Sequence, residues 1–294
     1  MEIQGCYVAL VTPFLDDGSV DEEGLRKNIG FLIRKGVAGI VPCGTTGESA
    51  TLSWDEHNHV VDIAIDEAGK RVQVISGAGS NNTAESIKAA RHAREQGADA
   101  ILCITPYYNK PTQEGIFRHF KMIADEVDIG IVVYNVPGRT GTNIVPETIE
   151  RLCELSNIVA VKEASGNVGQ ISEIHRRCGD RLTILSGDDA LTLPILACGG
   201  KGVISVVGNI LPDTMAEMIA LYLQSDTAGA LRVHEELLPV CKALFFESNP
   251  IPVKTAMEHL GHAAGPLRLP LTPMSESNKQ KLLAVIQKSG VSGP

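Results

Sequence analysis

Lys162 closes the run IVAVK within IVAVKEASGN, where four apolar residues lead the chain inward and then place an amine at the end of a strand. Burial disfavours the charged form of an amine, and a neutral amine can attack a carbonyl carbon to form a Schiff base that serves as an electron sink. The same placement also suits a structural ion pair with a carboxylate on a neighbouring strand. Tyr134 ends an earlier apolar run in IVVYNVPGRTG and is followed by Asn135, a Pro137-Gly138 turn and Arg139. A phenol one strand away from an amine could relay protons during imine formation, and a guanidinium could fork onto a carboxylate. Taken singly, a tyrosine hydroxyl bonded to backbone and an arginine in solvent are the commoner outcomes. Their joint placement beside Lys162 is what gives the chemical reading its weight.

Gly44-Thr45-Thr46-Gly47-Glu48-Ser49 places two glycines around two hydroxyls. The backbone N–H groups and side chains of such a loop can cradle a small anion, with a carboxylate the natural candidate. No Gly-Lys-Ser/Thr follows, so it is not a P-loop. The bland alternative is a turn that needs glycine for its geometry, with Ser53 and Glu56 forming a capping box for the next helix. Gly77-Ala78-Gly79 lacks the third glycine of a dinucleotide fingerprint. His57 and His59 fall on different faces of a helix and no other motif completes a metal site, which argues against zinc or a class II aldolase. Tyr107-Tyr108 carry little information as a pair in isolation.

These residues need a scaffold that brings strand ends together. Eight short apolar runs rich in Val and Ile recur at 7–11, 39–43, 72–76, 100–104, 130–134, 158–162, 183–186 and 202–206. They are apolar on both faces, as strands are when helices cover a sheet. Between them lie helical segments: Ile116, Phe120, Ile123, Ala124 and Val127 form one stripe, Val60, Val61, Ala64 and Ile65 another, and Pro146 opens a third. Eight alternations predict an α/β fold, a closed (β/α)8 TIM barrel, in preference to an open doubly wound sheet. Polar residues at the strand ends (Thr45, Ser76, Thr105, Tyr134, Lys162, Ser186, Ser205) would then meet at one mouth. Helices are expected over 215–224, 230–246, 253–260 and 275–288, the first closing the barrel and the rest forming a C-terminal helical appendage. The expected division is a barrel over 1–225 and a C-terminal helical region over 226–294.

Composition narrows the function classes. With 44% hydrophobic and 21% charged residues over 294 positions, disordered, collagen-like and coiled-coil classes are excluded. The net charge of −9 and the lack of a basic cluster argue against nucleic acid as a partner. The start, MEIQGCYVALVTPF, lacks the basic flank and cleavage site of a signal peptide, and no apolar stretch approaches the ~18 residues of a membrane span. Seven cysteines, odd in number and without a CxxC pair, read as reduced core thiols of a cytoplasmic protein.

GTTGES at 44–49, TPYYNKP at 105–111, YNVPGRTG at 134–141, VKEASGN at 161–167, LSGDD at 185–189, GVISV at 202–206 and NPIPVK at 249–254 closely resemble the dihydrodipicolinate synthase family. The likeness runs in the same order from Tyr7 to the last helix. The wider group of pyruvate-dependent enzymes, including N-acetylneuraminate lyase and 2-keto-3-deoxy sugar acid aldolases, shares the lysine and the YN-P pattern. YNVPGRTG with Arg139 is the more specific mark, because that arginine suits a second substrate with a carboxylate near its aldehyde.

The resemblance implies a lyase that condenses pyruvate with L-aspartate 4-semialdehyde to 4-hydroxytetrahydrodipicolinate, in lysine and diaminopimelate biosynthesis, without a cofactor. It implies that Lys162 forms the imine, that Tyr134, Thr45 and Tyr108 make a hydroxyl chain, and that Tyr108 comes from the neighbouring subunit of a tight dimer. Thr45 and Thr46 would hold the pyruvate carboxylate, Arg139 the semialdehyde carboxylate, and the carbonyls of Gly187 and Ile204 would lie against the site. The implied assembly is a homotetramer, a dimer of tight dimers. In feedback-sensitive members lysine binds at the tight-dimer interface, at positions matching Ser49, Ala50, His57, Asn81, Glu85 and Tyr107. Glu85, three residues after Asn82, also suits a capping box, and Trp54 stands where a histidine is common. A sibling enzyme acting on another aldehyde through the same imine, and a barrel retained only for binding, are the alternatives. The full set of reactive groups weighs against the second.

Overall fold

The computed structural model describes residues 2–291 and 293. Its strands are β1 (Gly5–Ala9), β2 (Gly39–Val41), β3 (Gln73–Gly77), β4 (Ala100–Ile104), β5 (Gly130–Asn135), β6 (Ile158–Glu163), β7 (Thr183–Ser186) and β8 (Gly202–Ser205). They form a closed barrel in chain order, pairing parallel from β1 through β8, with Gly5 N donating to Lys201 O at 3.0 Å beside the closing seam. This is the (β/α)8 architecture anticipated from the eight apolar runs. The strand limits differ from those expectations by no more than two residues at either end. Carbonyls and N–H groups of flanking residues, not hydrophobicity, decide where a ladder stops.

The helices are α1 (Glu22–Arg34), α2 (Trp54–Ala68), α3 (Thr83–Gln96), α4 (Gln113–Glu126), α5 (Pro137–Thr140), α6 (Pro146–Leu152), α7 (Val168–Cys178), α8 (Thr192–Ala197), α9 (Pro212–Leu223), α10 (Thr227–Ala243), α11 (Ile251–His259) and α12 (Glu276–Lys288). Their starts follow local chemistry. Ser53 and Glu56 form the anticipated capping box on α2, Thr112 caps α4, Asn167 caps α7, and Pro146 opens α6 where its missing N–H costs nothing. Asn82 caps α3 through Ala84 N, but the Glu85 carboxylate accepts from the Ser80 hydroxyl at 2.7 Å and not from the Asn82 backbone.

The chain divides into two compact units. The first comprises residues 1–5 and 75–204, with a core of Ile101, Ile131, Val133 and Val161 from the strands and Ile116, Phe120, Ile123, Ile171 and Ile174 from the helices. The second comprises residues 6–74 and 205–294. There α1 packs on α2, α9 on α10, and α12 on both α10 and α11, burying Leu25, Ile29, Val60, Met215, Leu237, Met257 and Leu282. All seven cysteines are free thiols, six of them buried. No helix among the described residues is long and apolar enough to cross a membrane.

Candidate active site

In the first unit, Tyr134 and Lys162 are register partners on β5 and β6, so alternation of side chains puts them on the same face of the sheet. The Lys162 nitrogen lies 4.3 Å from the centre of the Tyr134 ring, and both residues are only 6% exposed. Burial pushes the Lys162 amine down to about 7; the Asp189 carboxylate pulls it back up, and the Arg139 guanidinium depresses it further. An amine in this state is half unprotonated near neutral pH, as a nucleophile toward a carbonyl must be. Gly187 is required beside it, since a Cβ there would come within 2.7 Å of Ala164 Cβ and 3.2 Å of Lys162 Cε. Ile204 is buried in β8, and Arg139 is exposed on α5, immediately after Tyr134 and Asn135.

In the second unit, the loop after β2 carries Thr45 and Thr46 between Cys43 and Glu48, both of which adopt left-handed backbone with φ of 55° and 52°. Such conformations cost free energy in residues other than glycine and persist where surrounding contacts fix them. Here the contacts are specific. Thr46 Oγ1 accepts from Asn249 Nδ2 at 3.0 Å, and the Thr12 hydroxyl donates to Gly47 O at 2.8 Å. Lys254 Nζ donates to Glu48 Oε1 at 2.8 Å, Pro266 O at 2.7 Å and Thr12 O at 3.3 Å, while Glu48 Oε2 accepts from Arg268 N at 3.1 Å. The Lys254–Glu48 pair is almost wholly removed from water, at 2% and 1% side-chain exposure. Burial lowers the Lys254 pKa, against the raising effect of Glu48. Thr46 is buried, and Thr45 is partly open.

Tyr108 is 89% exposed with φ of 72°, and Tyr107 is 39% exposed. One chain therefore does not bury Tyr108 with Tyr134. Asn81 Nδ2 donates to Tyr107 O at 3.1 Å, which places these two in contact, and Glu85 lies in the first turn of α3. Ser49 and Ala50 lie in a short 3-10 turn, and His57 is buried on α2 with its ring 5.2 Å from that of Trp54. Gly79 has a packing role, because a Cβ on it would meet Ile104 N at 2.4 Å.

Sequence reasoning passed over Asp189, Glu48, Lys254 and the Asn135–Glu163 pair. The signals were charged residues inside otherwise apolar stretches: the second acid of LSGDD, and the lysine of PIPVKTAM.

A near-neutral amine on a strand of a closed parallel barrel, with a phenol against it, defines a Schiff-base-forming lyase. The model of the Dihydrodipicolinate synthetase family matches residues 2–289. The chain belongs to that family. It is 54% identical to a 4-hydroxy-tetrahydrodipicolinate synthase of Geobacter sulfurreducens, over 97% of this chain and 98% of the relative. The crystal structure of the chloride-inhibited dihydrodipicolinate synthase of Acinetobacter baumannii complexed with pyruvate superposes with a TM-score of 0.97 at 41% identity, covering 99% of this chain and 100% of that one. The synthase of Cyanidioschyzon merolae with lysine bound gives 0.95 at 41% identity, covering 98% of each chain.

Proposed function

We propose that the chain condenses pyruvate with L-aspartate 4-semialdehyde to 4-hydroxytetrahydrodipicolinate, with Lys162 as the imine-forming residue. The observation that carries this reading is the Lys162 amine, buried at a pKa of about 7 against the Tyr134 ring. The neutral amine adds to C2 of pyruvate, and loss of water leaves an iminium. Its positive charge acidifies the C3 protons, so one departs and an enamine forms. The enamine carbon attacks the aldehyde of the second substrate. That substrate's own amine then adds to the imine carbon, closes the six-membered ring and expels Lys162.

Each carbinolamine step needs a proton carrier, and a hydroxyl supplies one without setting a fixed negative charge beside the imine. We assign this to Tyr134, in series with Thr45 and with Tyr108 of a neighbouring subunit. The high exposure of Tyr108 in the single chain supports a role in an assembly, and the homotetramer implied by the resemblance supplies one. Thr45 and Thr46 take the pyruvate carboxylate, Arg139 takes that of the semialdehyde, and the Gly187 and Ile204 carbonyls line the site. Lysine is the proposed effector, bound by Ser49, Ala50, His57, Asn81, Glu85 and Tyr107. A lysine-bound structure in the family supports this. The reduced state of the seven thiols supports a cytoplasmic location.

Borohydride reduction in the presence of pyruvate, followed by peptide mass analysis, tests the reading. An adduct on the Lys162 peptide together with turnover of the semialdehyde is expected. An adduct on another lysine, or cleavage of a keto-deoxy acid with no turnover of the semialdehyde, would overturn it.

A further inference from the structure

Behind the Tyr134–Lys162 pair, on the opposite face of the same two strands, Asn135 and Glu163 are also register partners, and both are fully buried. The Glu163 carboxylate is reached only a residue away from the reactive amine, yet it bonds neutral groups. Oε1 accepts from Ser165 N at 2.7 Å, and Oε2 accepts from Asn135 Nδ2 at 3.0 Å and from Gln170 Nε2 at 3.3 Å. Asn135 Nδ2 also donates to Asn143 Oδ1 at 2.8 Å, and Asn143 Nδ2 donates to Gln170 Oε1 at 2.8 Å. Glu163, Asn135, Asn143 and Gln170 thus close a ring of side-chain hydrogen bonds.

The carboxylate gives this ring its direction. Both Glu163 oxygens act as acceptors here, so the amide nitrogen of Asn135 faces them and the amide oxygen faces away. That oxygen accepts from Ile144 N at 3.0 Å. The Asn135 side chain therefore fastens the end of β5 to residues 143 and 144, and the loop between them carries Arg139 on α5. Gln113 of α4 adds a second tie from outside, donating to Asn143 O at 2.8 Å and accepting from Val145 N at 3.2 Å. On the other side, Ser165 and Gln170 belong to the segment that follows Lys162 directly. One ring thus grips both the arginine-bearing loop and the chain leaving the reactive lysine.

We propose that the Glu163–Asn135–Asn143–Gln170 ring is a positioning clasp that fixes the Arg139 loop relative to the Lys162 nitrogen, and so sets where the carboxylate-bearing aldehyde is held against the enamine. This rests on the roles proposed above for Lys162 and Arg139. Arg139 is assigned to the second substrate's carboxylate, and its effect on the Lys162 amine is the smallest of the three acting there, so the clasp bears chiefly on the second substrate and little on imine formation. In Glu163→Gln one of the two acceptor oxygens becomes an N–H2 facing a donor, either Ser165 N or the Asn135 and Gln170 amides, so the ring loses an acceptor and its hold on one side. Asn143→Ala opens the ring at its half-buried rim.

The test compares both variants with the wild type by borohydride trapping of pyruvate and by steady-state kinetics with each substrate, folding being checked by circular dichroism. Trapping on Lys162 and KM for pyruvate are expected within about twofold of wild type, while kcat/KM for the semialdehyde falls roughly ten- to a hundredfold, as small misplacements of a reactant do. Folded variants with unchanged semialdehyde kinetics would refute the clasp, as would a parallel loss of pyruvate trapping. Should Glu163→Gln not fold, Asn143→Ala decides by itself. Absence of a Lys162 adduct in the wild type would instead remove the underlying mechanism, so the two failures are distinguishable.

Discussion

The Lys162 nitrogen sits 4.3 Å from the centre of the Tyr134 ring because the two residues oppose each other in the β5–β6 register. A one-residue slip would bring Glu163 or Val161 to that place. The ring's negative face tolerates the amine in its protonated form, and the hydrophobic surroundings favour the neutral one. Both states are thereby accessible at neutral pH.

The rate of pyruvate trapping should follow the unprotonated fraction of Lys162, rising as pH increases and reaching half its maximum near the folded value of about 7. A lysine at the ordinary 10.5 would give trapping that still climbs steeply beyond about pH 9. Measuring the initial rate against pH by intact mass separates the two cases.

The same shift predicts a stability effect. Between about 7 and 10.5 the native state binds fewer protons at Lys162 than the unfolded chain does, so this residue's contribution to stability rises with pH across that window. Lys162→Met should stabilise the protein by on the order of a few kcal/mol at about pH 6, with the gain fading toward about pH 10. Thermal melts of both proteins across this range should converge; a constant offset would contradict the buried-amine account.

Removing the Tyr134 hydroxyl tests the relay. Tyr134→Phe should lower kcat by roughly 10²- to 10⁴-fold, and adding Tyr108→Phe or Thr45→Val should cost much less than the product of the single effects. Full turnover in Tyr134→Phe, or strict multiplicativity, would reject a shared chain.

Arg139→Ala should raise KM for the semialdehyde about tenfold or more while the pyruvate adduct still forms. Equal losses for both substrates would show that the arginine serves the whole site.

The Glu48–Lys254 pair should be sensitive to the loss of one partner only. Glu48→Gln leaves a buried ammonium without its counter-charge and should cost about 3–5 kcal/mol in urea denaturation, whereas Glu48→Gln with Lys254→Met should recover much of that loss. A single variant within about 1 kcal/mol of wild type would show that water reaches the pair.

Much of this architecture was legible because parallel strands buried on both faces leave a plain mark in sequence. The runs around Ile101, Val132 and Val161 could hardly be anything else, and Lys162 stood out as a charge where such a run ends. The Ser53–Glu56 box was readable for a different reason, since its partners are three residues apart. Glu163 was passed over although it follows Lys162, because what it bonds, Asn135 and Gln170, is fixed by strand register and helix placement. Glu85 suited a capping box by spacing, but its carboxylate is held by the Ser80 hydroxyl instead. Lys254 and Glu48 each lay inside a recognised motif, and nothing local indicated that the two motifs meet.

The loop bearing Thr45 and Thr46 depends on residues made long after it. Asn249 follows Thr46 by 203 positions and Lys254 follows Glu48 by 206. At the usual pace of synthesis this separates loop and partners by roughly 10 to 40 s on the ribosome. During that interval Glu48 has no ammonium to offset its burial, so the left-handed turn around it has little reason to persist. A nascent chain can thus possess all eight strands and still lack a settled second-strand loop. Activity should be among the last properties the growing polypeptide acquires, and fragments ending before Asn249 should be inert however well their strands pair.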